Sequence, residues 1–110
     1  MTDADTILAR DISRDRLVAE LKALRPAFER EGVTHMVLIG SRARQDNRPD
    51  SDIDLAIEVS DEARRFSLLD LVGVKHIVED ETGLPADISM FRSLGPDFRR
   101  QVERDRVDIF

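Results

Sequence analysis

The sequence predicts an α+β domain, and three observations carry that expectation. Residues 34 to 39 form a continuous apolar, β-rich run that reads as a buried strand. Ile53, Leu55, Ile57 and Val59 alternate with Asp52, Asp54, Ala56 and Glu58, and this period of two marks a second strand with one apolar and one acidic face. Before and after these runs, apolar residues recur at helical spacing, so helices and strands interleave along the chain.

The first dozen residues are polar and read as loosely ordered or as a short helix. Ser13 is placed to cap a helix starting at Arg14, in which Leu17, Val18, Leu21 and Leu24 keep helical spacing. Pro26 ends or kinks that helix near Leu24, and a second short helix then runs from Pro26 to Glu31, because proline is tolerated in a first turn. Gly32 ends it. After the first strand come Gly40-Ser41, a short helix over Ser41 to Gln45, and the loop chemistry of Asn47-Arg48-Pro49-Asp50-Ser51. Ser60 or Asp61 is expected to cap a helix-rich region, with Phe66, Leu69, Leu71, Val72, Val74, Ile77 and Val78 giving it an apolar face as far as Gly83. Pro85 to Phe91 reads as a third strand, Pro96 to Asp105 as a last helix, and Val107 to Phe110 as a short edge strand.

Composition narrows the class. A chain of 110 residues suits one domain, taken here as 1–110, and 41% apolar with 36% charged residues is a soluble globular balance. The longest apolar runs are too short to span a membrane. Met1-Thr2-Asp3-Ala4-Asp5 lacks a basic, apolar export pattern, so the cytoplasm is the expected compartment. The absence of cysteine excludes disulfides and thiolate metal sites. A net charge of −6 argues against general nucleic-acid binding over the surface.

The chemistry concentrates in Gly40-Ser41-Arg42-Ala43-Arg44 and Ser51-Asp52-Ile53-Asp54-Leu55. Two aspartates two apart on a strand point to the same side, with Cα atoms roughly 6.5 Å apart. Adjacent carboxylates resist ionising together, and a bare sheet face gains nothing from them. A pair of divalent cations about 3.5–4 Å apart removes the penalty, with Mg²⁺ sharing its oxygen shell between carboxylates and substrate phosphates. Gly40-Ser41 lies where a strand turns into a helix. Glycine permits close backbone approach there, and the helix start offers N–H groups and a positive dipole to an anion. The Ser41 hydroxyl adds a donor, and Arg42 and Arg44 are candidates for charge-assisted bonds to phosphate. Asp50 and Ser51 read as turn formers that position Asp52, with Ser51 a further nucleotide-contact candidate. Asp87, inside the third apolar strand, is the candidate third carboxylate. If that strand neighbours the second, it joins Asp52 and Asp54 as a ligand and as acceptor of the attacking hydroxyl's proton.

Each residue also has a plainer reading. Asp52 and Asp54 alone suit a solvated edge strand, Asp87 an exposed strand position, and Arg42 and Arg44 solvent or partner contacts. His35 and His76 have no ligand-like neighbours in sequence and read as structural. The joint pattern is what discriminates.

Gly-Ser, ten intervening residues and Asp-x-Asp together resemble the signature of polymerase-β-like nucleotidyltransferases. The fuller pattern, Gly40-Ser41-Arg42-Ala43-Arg44 with Asp50-Ser51-Asp52-Ile53-Asp54-Leu55, resembles the prokaryotic minimal nucleotidyltransferase (MNT) family along nearly the whole chain. One departure is Gln45, where the family usually has glycine, a difference expected to bear on the turn after the phosphate loop. The resemblance implies a small mixed β-sheet flanked by helices. It implies two Mg²⁺ ions held by Asp52 and Asp54 with Asp87 as third carboxylate, and an NTP triphosphate at Gly40-Ser41. It further implies transfer of NMP, AMP from ATP in the specific case, to a hydroxyl with release of pyrophosphate. Many MNT proteins act as antitoxins of HEPN ribonuclease toxins and add AMP to a toxin tyrosine, so a HEPN protein is the expected partner. Exposed helix faces would then be interface, and a homo-oligomer is a further candidate assembly. The rival readings are a binding-only antitoxin and a transferase acting on a small molecule.

Overall fold

The computed structural model describes residues 10–60 and 66–110. What the sequence suggests for the first nine residues and for Asp61 lies outside the described residues. Helix α1 spans Arg14–Ala23, and Ser13 caps it by accepting a hydrogen bond from the Arg16 N–H. The helix ends where expected. Pro26 has no N–H to continue the ladder, and the chain restarts as α2, Arg25–Arg30, with Pro26 in its first turn. Leu17, Leu21 and Phe28 from this pair are fully buried.

Strand β1, Val33–Ile39, leads into the one-turn helix α3, Gly40–Arg44, and strand β2 covers Ile53–Val59. Helix α4, Leu68–Thr82, begins with a capping box in which Ser67 and Asp70 exchange hydrogen bonds. The cap of α4 is thus Ser67, seven residues beyond Ser60: it sits one residue before the helix and has an acidic partner three positions on. Strand β3, Ala86–Met90, follows, then a 3₁₀ turn at Phe91–Ser93, helix α5 over Pro96–Asp105, and the two-residue strand β4, Val107–Asp108.

The strands form one mixed sheet in the order β3-β2-β1-β4. β1 runs antiparallel to β2 and β4, and β2 runs parallel to β3. The parallel pair needs a crossover, and α4 supplies it. One sheet face packs on α1, α2 and α4 through a core that includes Leu17, Leu21, Phe28, Leu38, Ile53, Leu55, Ile57, Val74 and Val78. The other face carries a smaller cluster of Val37, Ile39, Ala56, Phe91 and Val102. The acidic face expected on β2 is therefore acidic only at its ends. Ala56 is buried in the middle because the 3₁₀ turn and α5 cover it. No helix among the described residues is long and apolar enough to cross a membrane.

Candidate active site

Pairing in the sheet determines which side chains meet. β2 lies between β1 and β3, with Ile39 and Asp87 directly across from Asp54 on either side. Register partners project to the same side of a sheet. Asp54 and Asp87 therefore share the face carrying Ile39 and Ala56, opposite the main core, and Asp52 joins them two residues before Asp54. The condition set by the sequence is met: the third strand neighbours the second, and Asp87 comes beside Asp54. Asp87 and Asp52 are exposed, whereas Asp54 is partly buried. The burial penalty expected at Asp87 thus falls on Asp54, because β3 is an edge strand and β2 is central.

That penalty appears in the ionisation of Asp54. Burial, followed by the negative charges of Asp87 and Asp52, pushes its carboxyl up to about 6, with Arg44 pulling the other way. A carboxylate held against two others is a site short of positive charge. Among the described residues no three acidic or histidine side chains already close into a cation cage. The donor chemistry fits a hard cation that brings much of its own oxygen shell, as Mg²⁺ bound with a nucleotide does.

Gly40, the first residue of α3 after the end of β1, supports this cluster. Its φ of +76° lies in the left-handed region, and a Cβ built on it would overlap Asp54 Oδ2. Gly40 therefore turns the chain into α3 and leaves room for the Asp54 carboxylate. Ser41 follows at the front of α3, partly exposed, and its carbonyl accepts the Asp46 N–H at 3.0 Å, closing the turn. Between them stands Gln45 with φ 66° and ψ 28°. This is the conformation glycine adopts most readily, so Gln45 takes up the glycine-like turn.

The two arginines part company. Arg42 is 2% exposed, and its guanidinium donates to the carbonyls of Ser51 at 3.1 Å, Pro49 at 3.1 Å and Arg48 at 3.4 Å. In place of the phosphate contact expected for it, Arg42 clamps the 48–51 loop that delivers Asp52. Burial lowers its pKa against the opposing pull of Asp50 and Asp52. Arg44 lies nearer the surface, bonded to Asp46 at 3.0 Å and to Asp105 of α5 at 3.7 Å. Ser51 is a turn former, as one reading had it: its hydroxyl accepts the Arg48 N–H at 2.9 Å. His35 is structural. Its Nε2 lies 2.8 Å from Arg106 Nη2, its Nδ1 contacts the Phe110 carbonyl, and its ring stacks on Phe91.

One component was not read from the sequence. Helix α5 crosses the carboxylate-bearing face and forms a hollow beside Gly40 with Ile39 and Arg44, to which it contributes Phe98, Gln101, Val102 and Asp105. The available signal was Phe98, a large apolar residue on a mostly charged helix, which the fold leaves 48% exposed.

The chain is similar to known proteins in sequence and fold. A family model described as a nucleotidyltransferase domain matches residues 17–109. A curated relative from Methanocaldococcus jannaschii, named "putative protein adenylyltransferase", is 31% identical over 84 residues, which are 76% of this chain and 87% of the relative. A solved structure described as a "putative minimal nucleotidyltransferase" aligns with a TM-score of 0.74 at 32% identity, covering 88% of this chain and 96% of that one. The fold is also shared with the complex of tri-AMPylated Shewanella oneidensis HEPN toxin with MNT antitoxin. That alignment has a TM-score of 0.59 at 14% identity, over 84% of this chain and 71% of that one.

Proposed function

This chain belongs to the nucleotidyltransferase domain family, and on that premise we propose that it moves AMP from ATP to a hydroxyl of a protein partner. The partner we favour is a HEPN ribonuclease toxin, for which this chain serves as the cytoplasmic antitoxin. The observation that carries the reading is the pairing of Asp54 with Asp87 across β2 and β3, beside Asp52 and directly over Gly40. The name of the archaeal relative supports a protein acceptor, and the AMPylated toxin in the shared-fold complex supports the HEPN partner.

In this reading Asp52 and Asp54 would hold two Mg²⁺ ions, and Asp87 would complete the carboxylate set. Bound Mg²⁺ would supply charge neutralisation for the triphosphate and for the departing pyrophosphate. The chain's own groups do the rest. Backbone N–H groups at Gly40 and Ser41 orient the phosphates, and the Ser41 hydroxyl donates to them. Asp87 accepts the proton of the acceptor hydroxyl as its oxygen bonds to the α-phosphorus. The bond from that phosphorus to the bridging oxygen breaks, and pyrophosphate leaves with the electron pair. Arg42 keeps Asp52 in position through the loop and touches no substrate.

The test combines the purified chain, the product of the adjacent gene, Mg²⁺ and each NTP in turn, read by intact mass spectrometry. An adduct of AMP mass on the partner, absent with Asp52→Ala or Asp54→Ala, is the expected result. A stable complex that acquires no adduct with any NTP would leave a binding-only antitoxin instead.

A further inference from the structure

The hollow between α3 and α5 adjoins the carboxylates through Gly40, which belongs to both. Phe98, Gln101, Val102 and Asp105 follow the spacing i, i+3, i+4, i+7 and so occupy one face of α5, the face turned toward Gly40. Val102 and Ile39 are buried beneath, while Phe98 and Gln101 are exposed. We infer that Phe98 and Gln101 form the nucleobase subsite of this enzyme, with the base stacked on the Phe98 ring and its polar edge read by the Gln101 amide. The inference rests on the nucleotide site proposed above and names the part of it that selects the base.

Charge decides what the hollow can take. Among the described residues the wall carries one cation and one anion, Arg44 and Asp105, which are ion-paired at 3.7 Å, and Asp46 holds Arg44 from its other side, so the wall has no net positive charge for a phosphate. It suits a neutral ring. Size decides how the ring is held. The hollow is open on one side and its cavity volume is only about 30 Å³, too small for a whole base. The base therefore rests on Phe98 at the mouth. Stacking on an aromatic face is tolerant of base identity, whereas a glutamine amide pairs bidentately with adenine N6 and N7. Phe98 thus supplies affinity and Gln101 supplies preference.

Titration calorimetry on the full chain with Mg²⁺ separates base from phosphate by comparing ATP with inorganic tripolyphosphate. Phe98→Ala is expected to weaken ATP about tenfold and to leave tripolyphosphate within about twofold of wild type. Phe98→Trp restores ATP binding, and Gln101→Ala narrows the preference for ATP over GTP, CTP and UTP. The exposure of both side chains keeps these variants folded. Equal affinity of wild type for ATP and tripolyphosphate would overturn the subsite and leave the nucleotide site standing. So would equal weakening of both ligands by Phe98→Ala, or intact ATP binding in that variant with transfer to the partner lost, which would reassign Phe98 to the acceptor. Wild type that binds neither ligand would overturn the nucleotide site and this subsite together.

Discussion

The carboxylate of Asp54 packs against the Cα of Gly40, in the space any other residue would fill with its Cβ. A Cβ there would overlap Asp54 Oδ2 and stand 3.1 Å from both Asp54 Cβ and Cγ, at a backbone φ of +76°. Gly40→Ala is opposed twice, by left-handed strain of about 1–2 kcal/mol and by displacement of a carboxylate on a central strand. Adduct formation should fall about a hundredfold or more, since small misplacements of reacting groups have effects of that order. Thermal melting and the adduct rate together check it.

Asp54 should make stability depend on pH. Its carboxyl titrates at about 6 in the folded chain, above the ordinary value of 3.8. Between those values the folded state binds the extra proton, so stability is lost as pH rises through about 6. Asp54→Asn removes the charge. With chelator present, that variant should be more stable than wild type at pH 7.5, by about 1 kcal/mol after solvent screening is allowed for, with the gap closing near pH 4. Urea denaturation at both pH values measures the difference.

Gln45 carries its own strain, being a non-glycine residue at φ 66°. Gln45→Gly should stabilise the chain by about 0.5–1 kcal/mol, the relief of left-handed strain being partly offset by the greater unfolded-state freedom of glycine. A rise in melting temperature without loss of adduct formation is the expected outcome.

Arg42 should behave as a structural residue with a remote effect on activity. Arg42→Ala leaves three loop carbonyls without their donor and should destabilise by about 2–3 kcal/mol. Arg42→Lys should recover little, because an ammonium cannot reproduce the planar fork. Chemical denaturation of the two variants, compared with wild type, reads both effects.

Much of this was legible along the chain, because periodicity is a local property. The alternation from Asp52 to Val59 placed two carboxylates on one side of a strand. The apolar run ending at Ile39 placed Gly40-Ser41 at a strand end, and Ser13, Pro26 and Gly32 marked the helix limits. The direction of Arg42 was not legible, since a guanidinium points wherever unpaired carbonyls are buried, and that depends on the course of the 48–51 loop.

The sequence by itself determined the strands, the turn glycine and the spacing of Asp52 and Asp54. Only the tertiary structure decided that Asp87 would stand beside Asp54, that α5 would bring Phe98 and Gln101 next to Gly40, and that Arg42 would turn inward. The reason is physical. Backbone geometry repeats every two or 3.6 residues and leaves its mark on neighbours in sequence. Strand register and helix docking join residues far apart in the chain, and these are set by hydrogen-bond pairing and core packing across the whole sheet.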